Sequence, residues 1–383
     1  MRLRIATALL VASLAPLGAE AQDLPRGEIV DVVRCAEDPT QSYALYLPST
    51  YVRGRPWSLL MGFHPSARGR ALVEKFRAAA EAYGYIVAAS NNSRNGEWAV
   101  SAQAVVAMSA DLNRRFAIDP ARVYLTGMSG GARVAMQVAL RKNRIAGVIA
   151  SSAGYPDARP RASVPFAVFG TAGTDDFNYS EMRQLDRALK TPHRVVIFAG
   201  GHTLPPDAVA MDAIEWMELQ AMSSGLRPRD EALVARLFEK REQAVAAAGE
   251  SAAAVHLLRG LAADFKGLRD AAAAAASARA DALAKQKDVK AALARERADD
   301  DAELRLVDQI ATLEAGLRSE DRALDSLSQL RTLLARLWKQ ANADADSAER
   351  SRARRVLRVI TMGASERVQF AEYLKLLQQY RLP

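Results

Sequence analysis

At 383 residues, half of them hydrophobic, the chain is long enough for two domains with cores of their own. Its net charge of +8 comes from Lys and Arg interleaved with Asp and Glu, which excludes the clustered basic footprint of a nucleic-acid binder. A single cysteine, Cys35, excludes an internal disulfide, so stability must come from burial.

The first segment, "MRLRIATALLVASLAPLGAEAQD", sets Arg2 and Arg4 ahead of an apolar stretch and ends in Ala19-Glu20-Ala21. That pattern predicts a cleavable export signal over 1–21, cut after Ala21, and a secreted or periplasmic mature chain. The apolar part is shorter than the roughly 20 residues a bilayer requires and is broken by Pro16, so no membrane span is expected.

From about Tyr43 to Met222, short apolar runs alternate with helix-length stretches. The expected strands are "YALYLP", "WSLLMGFH", "YIVAAS", "RVYLTG", "AGVIASS", "FAVFGTA" and "RVVIFAG"; amphipathic helices are expected near 71–83, 100–116, 132–141, 181–189 and 207–222. This alternation predicts an α/β domain over 25–222 with a mostly parallel sheet covered on both faces. In such a sheet the chemistry gathers at the carboxyl ends of the strands.

The texture changes at "SSGLRPRDE". Beyond it, Ala, Leu, Arg, Glu and Asp dominate, and no run reads as a strand. Stripes at helical spacing, Leu257-Leu261-Phe265-Leu268, Leu306-Ile310-Leu313-Leu317 and Leu324-Leu327-Leu334-Leu337, predict an all-α C-terminal region over 229–383. The basic cluster "ERSRARRVLR" at Glu349–Arg358 reads as a solvated helix face, and the apolar stripes must be covered by each other, by the first domain or by a protein partner.

The chemistry is concentrated around Ser129. In "VYLTGMSGGARVAMQVAL" an apolar run hands over to a helical one through Gly127-Met128-Ser129-Gly130-Gly131. A serine nucleophile must project clear of the backbone, and a sharp strand-to-helix turn achieves this only if small residues flank it. The pattern is the G-x-S-x-G elbow in its expected context. An ordinary glycine-rich turn with Ser129 capping the helix is the bland alternative.

Two partners follow in the chain order Ser, Asp, His. "TAGTDDFNY" puts Asp175 and Asp176 on a loop after one strand, and "GHTLPP" puts His202 on a loop after the next. His202 would act as general base, with an aspartate holding its tautomer. His202 as a structural loop residue and the aspartates as helix caps are the competing readings.

The sequence resembles α/β-hydrolase esterases of the polyhydroxybutyrate depolymerase and feruloyl esterase group, on "YALYLPSTY", "RFAIDPARVYLTGMSGGA" and "GGHTLPP". The resemblance covers a little over half the chain. It implies a serine esterase acting on a polyester oligomer or an aromatic ester through Ser129, an aspartate and His202. It favours Asp176, the residue just ahead of the Asn178-Tyr179 pair. A peptidase on the same scaffold, or a catalytically worn hydrolase serving as an interaction protein through its helical tail, are the alternatives.

Where that group carries His-Gly after its first core strand, this chain has His64-Pro65-Ser66. Proline has no N–H to give, so the oxyanion donors are expected to be Gly130 and Ser66 or a neighbour of Ser66. His64, read first as a structural residue under that loop, and Asn91, Asn92 and Trp98 of "SNNSRNGEW" are the candidate pocket walls. Four dispersed histidines and the lack of a phosphate-cradling glycine loop predict neither metal nor cofactor.

Overall fold

The computed structural model describes residues 24–382 apart from 143, 158, 363 and 365–367; the expected export signal lies outside the described residues. Eight strands form one sheet: β1 (Ile29–Arg34), β2 (Ser42–Tyr46), β3 (Trp57–Phe63), β4 (Tyr85–Ser90), β5 (Ile118–Met128), β6 (Gly147–Ser151), β7 (Ala167–Gly173) and β8 (His193–Phe198). Their order is β1-β2-β4-β3-β5-β6-β7-β8. The β1/β2 and β2/β4 pairs are antiparallel and the remaining pairs parallel. The fold is α/β, a mostly parallel sheet with helices on both faces.

Helices α1 (Gly69–Tyr83) and α5 (Asp207–Ser223) cover one face, while α2 (Trp98–Arg115), α3 (Gly130–Arg141) and α4 (Tyr179–Ala188) cover the other. That double cover explains the unbroken apolar runs: every residue of β3 and β4 is buried, because neither face meets water. Leu72, Val73 and Phe76 of α1 pack with Ile214, Trp216 and Met217 of α5 on one side. On the other, Met108 and Leu112 of α2 share a core with Ala135 and Val138 of α3 and Met182 of α4. Connections leave β3 toward β4 and then cross back to β5, so the carboxyl ends of β3 and β5 form the switch point where an open sheet leaves a crevice.

The C-terminal region is all helical: α6 (Glu231–Ala248), α7 (Ala252–Asp264), α8 (Asp270–Leu283), α9 (Lys287–Gly316), α10 (Ala323–Ala341), α11 (Ala348–Thr361) and α12 (Ala371–Gln379). Among the described residues no helix is long and apolar enough to cross a membrane. Two of the expected stripes are largely inward, and the third is inward except at its first residue. Leu324 is 80% exposed, and the buried face of α10 joins the expected Leu334 and Leu337 to Leu330 and Leu333. Leu327 packs against the same cluster, so only the first residue of the stripe falls off the face that meets α11.

The tail is not a detached module. Leu219 and Met222 of α5 lie in the same core as Leu237, Val255 and Phe265 of α6 and α7. Asp264 at the end of α7 accepts from Trp216 Nε1 at 2.6 Å, from Arg194 Nη1 of β8 at 2.6 Å and from Arg241 of α6. Glu218, fully buried, accepts from Tyr85, Arg122 and Arg227.

Candidate active site

β5 ends at Met128 and α3 begins at Gly130, leaving Ser129 alone to turn the chain. Its backbone sits at φ 53° and ψ −124°, a region that L-residues occupy at a cost of about 1–3 kcal/mol and that marks functional turns. The glycines around it are required by backbone crowding. A Cβ on Gly127 would stand 2.3 Å from Gly131 O, and one on Gly131 would stand 2.0 Å from Phe63 O at the end of β3. Both obstacles are main chain and cannot swing away.

β7 ends in the loop that carries Asp176, and β8 ends in the loop that carries His202. Asp176 is fully buried, and its Oδ1 lies 2.8 Å from His202 Nδ1. Asn178 N–H donates to the same oxygen at 2.8 Å, whereas Oδ2 is buried without a partner. With Nδ1 engaged, His202 keeps Nε2 for a proton on the substrate side. Phe177 stacks on the imidazole, ring centroids 3.9 Å apart, and fixes its plane. Asp175 points the other way, its Oδ2 3.3 Å from Arg354 of α11.

Short links tie the three strand ends together. Ser129 N–H donates to Ser151 O at 2.8 Å, Ser152 Oγ to Thr203 O at 3.3 Å, and Asn178 Nδ2 to Ser152 O at 2.7 Å. The residue after Ser151 is thus bonded to the neighbours of both His202 and Asp176. Among the described residues no hydrogen bond joins Ser129 Oγ to His202; such bonds commonly tighten only when substrate seats.

The loop after β3 differs from its expected role. Ser66 N–H, the expected oxyanion donor, is turned back onto His64 Nδ1 at 3.1 Å. His64 is 1% exposed and lies under the loop as a structural residue, not as a pocket wall. Its Nε2 faces Arg68 Nη2 at 3.2 Å, so both ring nitrogens meet donors while a neutral imidazole can accept at only one. Burial first, and the Arg68 charge second, hold its pKa down at about 4.

Three other candidates are also placed elsewhere. Asn91 Nδ2 donates to Asp31 O at 2.9 Å, and Asn92 accepts from Ser42 N–H at 2.8 Å, so both amides fasten β1 and β2 to the end of β4. Trp98 lies against Arg141, 5.4 Å from guanidinium to ring, at the far end of α3 from Ser129. The residue of this loop that does reach the elbow is Asn95. Its N–H is held by Pro65 O at 2.8 Å, and its carboxamide packs so closely on Gly130 that a Cβ there would stand 1.8 Å from Oδ1. Nothing in its spacing distinguished it from its neighbours; only the Ser66–Arg94 bridge between the two loops brings it in.

A cavity of about 570 Å³ lined by Pro120, Ile145, Phe166 and Met217 opens at the amino ends of β5, β6 and β7, on the edge opposite Ser129, and none of the three candidate catalytic residues lines it. Among the described residues no group of three His, Cys, Asp or Glu side chains is arranged to hold a metal ion.

No protein-family model and no curated protein match the chain. Among solved structures it is similar to an esterase of Pyrobaculum calidifontis, at 11% identity over 52% of this chain and 85% of that one, with a TM-score of 0.38. It is also similar to a ferulic acid esterase, at 16% identity over 49% of this chain and 94% of that one, TM-score 0.39. An arylesterase aligns at 11% identity over 53% and 87% of the two chains, TM-score 0.40.

Proposed function

We propose that the chain is a serine hydrolase of carboxylic esters, exported by its first 21 residues and acting through Ser129, His202 and Asp176. The observation that carries this reading is the strained Ser129 elbow at the end of β5, with a bonded Asp176–His202 pair held at the ends of β7 and β8. A glycine-rich turn with an ordinary cap has no physical need for either.

In this mechanism Ser129 Oγ attacks the ester carbonyl while His202 Nε2 takes its proton. The carbonyl oxygen becomes an alkoxide, the buried Asp176 carboxylate stabilises the imidazolium, and collapse expels the alcohol with the proton returned by His202. Water, deprotonated by the same nitrogen, then attacks the acyl-serine and releases the acid.

The alkoxide needs preorganised donors. Gly130 N–H, at the free amino end of α3, supplies one. Ser66 N–H would first have to leave His64 Nδ1; the exposed Asn95 carboxamide, whose Oδ1 faces Gly130, needs only a half-turn about its terminal bond to offer Nδ2, and is the second donor in this reading. An aliphatic polyester oligomer and an aromatic ester both fit the resemblance of the motifs.

Turnover of p-nitrophenyl esters tests the reading. The full chain should hydrolyse them, the Ser129→Ala variant should not, and peptide anilides should stay intact. Peptide cleavage without ester cleavage would overturn it in favour of a peptidase.

A further inference from the structure

The basic cluster of α11 is turned toward the first domain, not toward solvent as its composition suggests. Arg355 is 6% exposed; it donates from Nη1 to Thr174 O and from Nε to Glu303 Oε2 of α9 at 2.8 Å, and its guanidinium lies 4.0 Å over the Tyr179 ring. Arg354 Nη1 meets Asp175 Oδ2 at 3.3 Å, and Arg358 Nη1 donates to Asp175 O at 3.1 Å. Glu303 also accepts from Ser180 Oγ in the first turn of α4.

These contacts converge on the two residues immediately before Asp176. From its other side the same segment is tied to the loop of His202: Thr174 N–H donates to Phe198 O and Asp175 N–H to Gly200 O, each at 2.8 Å. The two loops touch backbone to backbone, since a Cβ on Gly173 would stand 2.3 Å from Gly200 O. The acid loop is therefore held between the histidine loop, which takes its N–H groups, and α11, which takes its carbonyls and the Asp175 carboxylate.

Those carbonyls lie at the domain surface and water could satisfy them if α11 were absent. What the arginines add is position. An Asp–His pair is sensitive to position, a misplacement of about 1 Å costing on the order of 100-fold in rate. We propose that Arg354, Arg355 and Arg358 are positioning residues for the Asp176–His202 pair, so that the helical tail completes the site of the first domain. The proposal rests on the esterase reading above.

The test uses the full chain and two variants: Arg354→Met with Arg358→Met, which leaves the solvent-accessible Asp175 carboxylate to water, and Arg355→Met with Glu303→Met, which removes a buried ion pair whole. Each is checked by circular dichroism and thermal melting, then assayed on a p-nitrophenyl ester. The expected result is a kcat about 10- to 100-fold lower with KM within about twofold, and a broadened low-field proton signal from the His202–Asp176 hydrogen bond. Arg358→Lys, which keeps a donor for Asp175 O, should retain most of the rate. Folded variants with unchanged kcat and an unchanged low-field signal would overturn the proposal while leaving the triad in place. A wild-type chain that turns over no ester would instead remove the reading on which it rests.

Discussion

His64 makes a prediction whose size follows from its surroundings. With its pKa at about 4 in the folded chain against an ordinary 6.5, the two differ by about 2.5 pH units. The folded ring is the neutral one, so between these values the unfolded chain binds a proton that the folded chain does not. Stability is then complete above about pH 6.5 and falls as the pH drops toward 4. At about 1.4 kcal/mol per unit the loss is about 2 kcal/mol at pH 5 and about 3 kcal/mol by pH 4. The cause is local: a protonated ring would face Ser66 N–H and the Arg68 guanidinium with no acceptor left for either. Urea unfolding from pH 7 down to pH 5, on the wild type and on His64→Asn, reads this directly. The variant keeps an acceptor for Ser66 N–H but cannot titrate, so its stability should decline less steeply by about 2 kcal/mol over that range. Parallel pH profiles in the two proteins would refute the reasoning, whatever their absolute stabilities.

Asn95→Ala should lower kcat by about 100-fold with little change in melting temperature, because the side chain is exposed and its proposed work is on the alkoxide; an unchanged kcat would return the donor role to Ser66 N–H. Asp176→Asn should cost on the order of 10⁴ in kcat, and Asp175→Asn far less, since only Asp176 meets His202; steady-state turnover of both variants checks the order. Asp264→Ala should destabilise the chain by about 3 kcal/mol in chemical unfolding, because Trp216 Nε1 loses its acceptor and Arg194 and Arg241 keep only their longer contacts to Asp212. A loss below about 1 kcal/mol there would mean that the tail and the first domain are not joined through this cluster.

Strands with continuous apolar runs were legible: β3, β4, β6 and β7 are buried almost throughout, and the edge strand β8 also falls where its run lies. β1 escaped notice for the opposite reason. Its residues "IVDVVR" sit at the sheet edge with Asp31, Val32 and Arg34 exposed, so the run carries charges and resembles a loop. Ser129, Asp176 and His202 could be singled out because small-residue crowding and chain order are sequence properties. What Asn91, Asn92 and Asn95 do could not be, since three neighbouring asparagines differ only in which strand end each one meets. The α11 arginines were misread because composition records charge but not the partner: Glu303 and the carbonyls of Thr174 and Asp175 are 52 to 183 residues away from them.

The central claim is that Ser129 is a nucleophile activated by His202. Treatment of the full chain with a fluorophosphonate probe, followed by peptide mapping, tests it most directly. The account predicts a covalent label on Ser129 that disappears in the unfolded protein and slows by orders of magnitude in the His202→Ala variant. A folded chain that takes up no label at Ser129, or one labelled equally fast without His202, would contradict it.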